Sequence, residues 1–542
     1  MKRIKLYSLV AAGLFMGATT SCGDDFLSVE PSSSILYDGY YDTQTRMMEA
    51  ATAAYAPMQW YDYFSGWAPL SMISDVMGDD LYVGGSNVTD QSQIHLISQF
   101  KSDPRNNIDG AWVTSYSGIN RSIHLIDNAK TCPLSEAEKN LFIAEGRTLR
   151  AWYYLTLWKL WGNIPYYEEN LTEPYTAPQL SADEIYNKVI VDLEDVINSE
   201  VLPMKQDAQW AGRMTQAAAM MIYADFVMYQ KDQSRYATAL KYMKDIISSG
   251  KYDLVQNYDD LFRLDTEWSQ EIILDVNYIN KGGKRTWGSA NACGGTVYPE
   301  MIGVDGLNIE CAAGHTPEFQ GGWGFGTISK EAYDAFEEGD IRRDIAILNI
   351  DKYAEDKSKE GDIVSYGGRY QNTGYFLRKY LPRPGGNEGS LGDAGLNWGN
   401  NLHLYRFAET LLNAAELALA TGDMGYAQDC FDRVRNRAQL PKKTVTLDNI
   451  IDERRVEFVG EGKRYFDLVR SGKAASVLKA GGGVVLQSRR TYNKETQTWE
   501  GQCTWGGQAI PERVQWTENK KYLPIPQAEI EAAKGALVQN PY

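Results

Sequence analysis

The 542-residue sequence contains few of the residues that metal sites and disulfide frameworks require. Its 6 cysteines and 4 histidines show no spacing typical of zinc ligands. The cysteines after Cys22 are scattered and odd in number, so a disulfide framework is not expected, and pairing of Cys293 with Cys311 stays open. The sequence therefore predicts no metal and no cofactor, except that a structural Ca²⁺ in its Asp-rich loops is left open.

Positive charge is also scarce. The chain has 54 Lys and Arg against 71 Asp and Glu, a net charge of −17. Because nucleic-acid affinity depends largely on basic side chains that contact phosphates, nucleic acid is not an expected partner. Neither a G-x-x-x-x-G-K-[ST] loop nor a G-x-S-x-G nucleophile elbow is present. The strip around Gly460 and Gly462 lacks the phosphate-binding spacing. Its charged residues are expected to form ion pairs between helices: Arg454, Arg455, Glu457 and Glu461.

The amino terminus has the layout of a secretory signal. Basic residues precede an apolar stretch over residues 6–18, which is shorter than the roughly 20 residues of a membrane-spanning helix. Cys22 follows at once, and this arrangement resembles a bacterial lipoprotein signal, in which the cysteine thiol receives a lipid. The alternative is an incidental cysteine after an ordinary signal. We expect a signal peptide over 1–21, a lipid on Cys22 and a flexible tether over 22–34.

Helical periodicity dominates much of the chain. Residues 135–161 place apolar side chains three and four positions apart, and Ser181 with Glu184 forms a capping-box pattern before the next helix. Residues 405–441 predict a helical hairpin broken at Gly422, in which Ala427 and Phe431 fit the tetratricopeptide pattern. A similar hairpin is predicted over residues 213–252. An ordinary helical bundle is the alternative for any one hairpin.

Residues 258–401 have a different character. Short β-like runs such as "EIILDVNYI" alternate with turn-rich stretches such as "GGWGFG". Loops of this length are usually functional or disordered, and their aromatic residues argue against disorder. The predicted fold class is therefore mainly α, a tetratricopeptide-like scaffold of helical hairpins with a loop-rich subdomain of small β content.

Aromatic residues make up 12% of the chain. Four tryptophans lie in helix-patterned segments and are expected in the core: Trp112, Trp152, Trp158 and Trp161. Others stand in loops beside Gly, Asn and Asp, where core packing explains them poorly. Loops carried on a rigid scaffold hold functional residues more often than other segments do.

Six segments, in order, resemble the SusD/RagB family of outer-membrane nutrient-binding lipoproteins. They are "GDDFL" after Cys22, "LRAWYYLTLWKLWGNIPYY", "TISKEAYDAFEEGDIRRD", "LYRFAETLLNAAELALATGD", "DERRVEFVGEGKRYFDLVRSGK" and "YLPIPQAEIEAAKGALVQNPY". The resemblance implies a single SusD-like domain over 35–542, with a ligand-binding region at about 258–401, that is lipid-anchored at the outer surface of the outer membrane. It further implies a non-enzymatic protein that captures an oligosaccharide or polysaccharide and passes it to a SusC-like TonB-dependent transporter.

The resemblance also implies which residues contact the glycan. The family's platform residues come from an amino-terminal loop, here "SDVMGDDLYVGGSN", from the middle loops, and from a Trp shortly before "TISKEAYDAFEEGDIRRD". The implied binding residues are Tyr82, Asn87, Trp287, Tyr298 and Trp323, with Trp67 in reserve.

Three other functions stay open from the sequence. A glycoside hydrolase would also be secreted, acidic and rich in aromatic residues, and it needs two carboxylates about 5–10 Å apart. A pair such as Asp305 and Glu318 is not excluded. The other two are a peptide-binding member of the family and an adaptor of surface complexes that binds no small ligand.

Overall fold

The computed structural model describes residues 39–62, 69–288, 294–481 and 512–542, together with the short segments 484–485, 491–493, 495–496, 498–500 and 508–509. The predicted signal and tether, Cys22, Trp67 and Cys293 lie outside these residues. Over the described ranges, no helix combines the length and the apolar character needed to cross a bilayer.

The described residues are mainly α-helical, as predicted. The helices are α1 (Gln44–Tyr55), α2 (Leu70–Met77), α3 (Ser92–Ser98), α4 (Asp109–Thr131), α5 (Glu136–Trp161), α6 (Ala182–Asn198), α7 (Gln216–Gln230), α8 (Tyr236–Ser248), α9 (Tyr298–Ile302), α10 (Lys330–Asp334), α11 (Arg342–Ala346), α12 (Ile350–Lys359), α13 (Phe407–Thr421), α14 (Met424–Arg437), α15 (Leu447–Glu457), α16 (Arg464–Arg470), α17 (Ala474–Val477) and α18 (Gln527–Ala532).

The helix ends follow from local sequence. The side chain of Ser181 accepts a hydrogen bond from the amide of Glu184, whose carboxylate binds the Ser181 amide in return, so the predicted capping box begins α6. Gly422 ends α13 with a left-handed φ of 89° and lets α14 fold back on α13. Ala427 and Phe431 are fully buried in this hairpin, which confirms the tetratricopeptide-like hairpin scaffold.

Long helices rich in aromatic residues form the centre of the scaffold. The four tryptophans predicted to be core residues are each no more than 3% exposed: Trp112, Trp152, Trp158 and Trp161. The rings of Trp112 and Trp161 meet edge to face, with centroids 5.4 Å apart, which joins α4 to α5.

Strands are short and pair two by two. They are β1 (Ile164–Pro165), β2 (Gln179–Leu180), β3 (Ile272–Val276), β4 (Val304–Asp305), β5 (Asn308–Glu310), β6 (Gly321–Gly322), β7 (Ile347–Asn349), β8 (Ile363–Ser365), β9 (Tyr375–Leu377), β10 (Leu402–Arg406), β11 (Val484–Val485), β12 (Thr491–Asn493), β13 (Thr498–Glu500) and β14 (Gln508–Ala509). The pairs are β1–β2, β3–β10, β5–β8, β7–β9, β11–β14 and β12–β13, all antiparallel, and β4–β6, which is parallel. Seven of these strands, β3 to β9, lie within the predicted loop-rich region.

A buried ionic network joins the last helices to this region. Glu457 on α15 has no exposed side-chain surface and pairs with Arg342 at 2.8 Å, Arg406 at 2.5 Å and also Arg437. Burial alone would raise the pKa of Glu457, but Arg437, Arg406 and Arg342 outweigh it and hold the pKa well below its usual range. A carboxylate in this setting is stable only while its partners remain, because burial of an unpaired charge is costly.

The other charged residues of the same strip are also paired. Arg454 binds Glu409 on α13 at 2.9 Å and Asp467 on α16 at 2.8 Å, which confirms the predicted ion pairs between helices. Glu461 lies in the turn after α15 rather than on a helix, and it pairs with Lys379 at 2.7 Å. Arg455 pairs with Asp80 at 2.7 Å, so this part of the network reaches the loop that follows α2.

Candidate functional site

The loop between α2 and α3 is held against the segment that follows β6. The amide of Tyr82 donates to the carbonyl of Thr327 at 2.8 Å, and the amide of Gly326 donates to the carbonyl of Val83 at 2.8 Å. Isolated bridges join Leu81 to Ile328 and Gly84 to Phe325. Two loops far apart in sequence are therefore aligned backbone to backbone.

Glycine is required where the two loops approach most closely. Gly84 has a left-handed φ of 78°, and a Cβ placed on it would lie 2.3 Å from the carbonyl oxygen of Gly324. At Gly85, also at φ 78°, a Cβ would lie 2.7 Å from the ring of Phe325. A side chain at either position would push the loops apart.

Trp323 stands directly after β6 and is fixed through its backbone. Its amide donates to the carbonyl of Glu300 at 2.8 Å, and its own carbonyl accepts from Nε of Arg369 at 3.1 Å. The side chain is half-buried. Both backbone groups of this residue are thus satisfied, which fixes the point from which the indole projects.

Trp287 projects from a different loop and is 61% exposed. Its amide donates to Oδ2 of Asp393 at 3.0 Å. Two residues earlier, the fully buried Arg285 pairs with Asp62 at 2.9 Å, and the same carboxylate accepts the hydroxyl of Thr296 at 2.6 Å. A buried ion pair therefore anchors the loop that presents an exposed ring.

The two tryptophans come together at the surface. Their ring centroids lie 5.9 Å apart with an interplanar angle of 32°. They border a pocket of about 240 Å³. Its lining consists of Asp90, Gln91, Trp287, Met301, Trp323, Phe325 and Arg369.

Polar groups surround the aromatic pair. Asp90 is oriented by Ser86, whose amide and hydroxyl both donate to Oδ2 at 2.8 Å. Arg369 lies 3.5 Å from the carboxylate of Asp305. The pocket thus combines two indole faces with a carboxylate, an amide and a guanidinium, a combination suited to a ligand with apolar faces and hydroxyl edges.

Tyr82 and Asn87 belong to the loop that supplies Asp90 and Gln91, but their own side chains do not line the pocket. Tyr82 is half-buried, and its pKa is raised by burial and by Glu331. Asn87 is exposed, and its Oδ1 accepts the amide of Thr89 at 2.8 Å and the hydroxyl at 2.6 Å. Both residues shape the loop in this structure.

Tyr298 must be corrected as a candidate platform. It is fully buried in α9, and its ring packs against Tyr380 at a centroid distance of 5.6 Å. A ring with no exposed face cannot stack on a ligand, so Tyr298 is a core residue. Trp67, the reserve candidate, lies outside the described residues.

Sequence reasoning missed five residues of the pocket lining: Asp90, Gln91, Met301, Phe325 and Arg369. Asp90 and Gln91 lie three and four positions after the end of the quoted loop "SDVMGDDLYVGGSN", so their proximity to that loop was an available signal. Arg369 is 46 positions from Trp323, and no spacing in the sequence relates the two.

Family models and solved structures agree on the class of this fold. The model described as "SusD family" matches residues 270–542, and the model described as "Starch-binding associating with outer membrane" matches residues 86–216. The chain belongs to the SusD family, which confirms the resemblance seen in the sequence.

Named relatives extend over most of the chain. A SusD-like protein of Bacteroides ovatus is 27% identical over 493 residues, which cover 86% of this chain and 82% of the relative. The starch-binding protein SusD of Bacteroides thetaiotaomicron is 26% identical over 378 residues, which cover 62% of this chain and 66% of that protein.

Among solved structures, surface glycan-binding protein A from Bacteroides thetaiotaomicron, in complex with laminarihexaose, is 41% identical to this chain. The TM-score is 0.80, with 92% of this chain and 100% of that chain covered. Surface glycan-binding protein A from Bacteroides fluxus is 36% identical with a TM-score of 0.78, covering 92% of this chain and 99% of that chain.

Proposed function

We propose that this chain is a surface glycan-binding protein and that Trp287 and Trp323 hold the sugar. The observation that carries the proposal is the meeting of two indoles, 5.9 Å apart, at a pocket that also presents a carboxylate, an amide and a guanidinium. The C–H faces of a sugar ring stack on the indoles, and its hydroxyls exchange water for polar partners at a small net gain of about 1 kcal/mol each.

The polar side chains of the pocket give the ligand its orientation. Asp90 accepts hydrogen bonds, Arg369 donates them, and Gln91 does both. Asp90 is already held by Ser86 and Arg369 by the carbonyl of Trp323, so these two side chains lose little freedom on binding. The pocket of about 240 Å³ is small. It therefore holds a short part of the glycan, and the rest of the glycan lies in solvent.

The ligand class to test first is laminarin-type glucan. The structural neighbour at 41% identity is described in complex with laminarihexaose, and a laminarin-binding SusD-like protein is 28% identical with a TM-score of 0.78 over 92% of this chain and 100% of its own. A starch-type α-glucan is the comparison ligand, because a more distant relative is a starch-binding protein. Laminarin-type and starch-type glycans differ in the curvature with which their successive sugar rings would meet the indole rings.

The binding test is affinity electrophoresis and calorimetry with purified protein. Laminarin should retard the protein and laminarihexaose should bind saturably, while Trp287→Ala and Trp323→Ala should weaken both. Trp210→Ala is the matched control, since Trp210 is 39% exposed but is not part of the pocket. Binding that survives both pocket variants, or no binding to any glycan of a broad panel, contradicts the proposal.

We also propose lipid anchoring through Cys22 and delivery of the glycan to a SusC-like TonB-dependent transporter. Support comes from the signal layout before Cys22 and from a family model whose description places its members at the outer membrane. Copurification of a barrel transporter with the tagged protein from detergent-solubilised outer membranes tests the association that delivery requires. Loss of radiolabelled palmitate in Cys22→Ala tests the anchor.

Catalysis is not part of the proposed function. Glu318 pairs with Arg378 at 2.8 Å and Arg383 at 3.0 Å; burial alone would raise its pKa, but the arginines outweigh it and lower the pKa. A general acid for glycoside hydrolysis needs a raised pKa. Incubation of the protein with the bound glycan should leave chain length unchanged by chromatography, and release of shorter products would favour a glycoside hydrolase.

The two remaining alternatives give other results in the same assays. A peptide-binding protein would bind peptides but no glycan, and its affinity would depend on the pocket. An adaptor would bind neither, and alanine at Trp287 and Trp323 would leave its assembly with partners unchanged.

A further inference from the structure

A second group of polar side chains lies beside the β5–β8 pair, outside the glycan pocket. It consists of His315, Glu360 and Asp362. One ligand atom from each residue lies within 4.8 Å of those from the other two. None of the three lines the glycan pocket.

Strand pairing assembles this group from distant positions. β5 and β8 are antiparallel, with Glu310 opposite Ile363. His315 follows β5, and Asp362 directly precedes β8, so the register of the two strands sets both near one end of the ladder. Glu360 follows the last residue of α12, and Gly361, with a left-handed φ of 92°, makes the turn between the two carboxylates.

Hydrogen bonds to one carboxylate oxygen fix the orientation of the Asp362 side chain. Its side chain is 3% exposed, and Oδ1 accepts the amide of Ala312 at 2.7 Å and Nδ1 of His315 at 2.8 Å. Among the described residues both hydrogen bonds reach the same oxygen, so Oδ2 remains for a further partner. His315 is 40% exposed, which leaves the cluster open to solvent on one side.

The local charge favours a cation. Two carboxylates meet one imidazole, and within the described ranges Glu360 pairs with one lysine, Lys357, at 2.7 Å. That lysine is a flexible side chain on α12 and can turn away into water. A divalent ion would neutralise both carboxylates at once.

We propose that His315, Glu360 and Asp362 bind a divalent transition-metal ion of the zinc class, with water completing the coordination. Carboxylates alone suit Ca²⁺ or Mg²⁺, whereas a set that includes an imidazole suits Zn²⁺. His315 and Asp362 are 47 positions apart, so ligand spacing in the sequence gave no sign of the site. The ion would join the turn after α12 to the segment that leads into β6 and Trp323.

The test is titration of purified, metal-stripped protein with Zn²⁺ by calorimetry, with Ca²⁺ in parallel. We expect one Zn²⁺ per chain, bound in preference to Ca²⁺, together with a rise in thermal unfolding temperature. His315→Ala and Glu360→Gln should each weaken Zn²⁺ binding at least about 10-fold. Because both side chains are well exposed, neither variant is expected to disturb folding, whereas Asp362→Asn is less decisive.

Matched controls use the same residue types elsewhere. Glu355→Gln lies on α12 and His124→Ala lies on α4, both at exposed positions, and both should bind Zn²⁺ as the unmodified chain does. Cys311→Ser tests whether the neighbouring thiol is a ligand, and we expect no change. The proposal is overturned by an absence of saturable Zn²⁺ binding, by equal affinity for Ca²⁺, by full binding in both His315→Ala and Glu360→Gln, or by loss of binding in a control or in Cys311→Ser.

Discussion

Tryptophans on the helical scaffold and tryptophans on the loop-rich region have opposite surroundings. Trp158 and Trp161 on α5 are 1% and 0% exposed, whereas Trp287 is 61% exposed and Trp323 is half-buried. A helix satisfies its own backbone and can bury a whole face. The loops satisfy their backbones by pairing with other loops, and this pairing holds the rings outward.

Charged residues show the same contrast. Around Glu457 the ion pairs are buried and multiple, while at the pocket Arg369 and Asp305 form a single contact of 3.5 Å at partly exposed positions. Buried networks fix how elements are arranged, and partly exposed pairs leave hydrogen-bonding capacity for a ligand. The same charged residue types are therefore buried as ion pairs in the scaffold and partly exposed at the pocket.

The largest effect that we expect is on the scaffold side of this contrast. Glu457→Gln removes the shared anion of Arg342, Arg406 and Arg437, so it should lower the free energy of unfolding by about 3–5 kcal/mol, measured by denaturant titration. Glu355→Gln, at an exposed position, is the control and should cost less than about 0.5 kcal/mol. A loss below about 1 kcal/mol for Glu457→Gln would mean that the network is not needed for stability.

Acid should weaken the same network. Arg406 and Lys379 outweigh burial and lower the pKa of Glu461 from 4.5 to about 2. Because the folded-state pKa is depressed, this stabilisation is present above pH 4.5 and is lost as pH falls toward 2, by roughly 3 kcal/mol in all. Unfolding free energies measured across this range should decline less steeply in Glu461→Gln, and an identical slope would contradict the assignment.

On the loop side, Trp323→Ala should weaken glycan binding by about 2 kcal/mol, roughly 30-fold. The free energy of unfolding should change little, because the ring is partly exposed. Trp210→Ala should leave binding unchanged. If Trp323→Ala, like Trp158→Ala, lowers the free energy of unfolding and has no separate effect on glycan binding, the contrast between scaffold and loop tryptophans is wrong.

Gly84→Ala should disturb the pairing that connects the two sides of the pocket. The added Cβ meets the carbonyl of Gly324 at 2.3 Å, and φ 78° is strained for alanine. We expect a loss of about 1–3 kcal/mol in unfolding free energy and weaker glycan binding, since Asp90 lies on the same loop. Gly425→Ala on α14, where a Cβ meets nothing within 4 Å, is the control. Equal behaviour of the two variants would show that the close approach is not needed.

The smallest effect concerns Tyr82. Its side chain does not line the pocket, so Tyr82→Ala, which removes the ring, should keep glycan affinity within about twofold by calorimetry. A loss as large as that of Trp323→Ala would restore Tyr82 as a platform, as the family resemblance implies.

Much of the scaffold was readable in the sequence because its signals are local. The capping box of Ser181 and Glu184, the break at Gly422 and the burial of Ala427 and Phe431 each depend on residues within one or two helical turns. The core tryptophans followed from helical spacing for the same reason. Tyr298 was misjudged because a short helix, α9, turns a loop-like sequence inward.

The pocket could be predicted only in part. Trp287 and Trp323 were implied by the family resemblance, but their distance of 5.9 Å depends on the Arg285–Asp62 pair and on β4–β6 pairing. Those contacts join positions that no short pattern relates. No short pattern relates Arg369 to Trp323 or His315 to Asp362 either, because these pairs are 46 and 47 positions apart.

The sequence by itself determined the helical hairpins and the surplus of loop aromatics, because periodicity, caps and turn residues act over a few positions. Only the tertiary structure decided which aromatic rings face solvent and which polar side chains meet them. Such meetings depend on long-range backbone pairing and buried charge, whose partners lie tens to hundreds of residues apart.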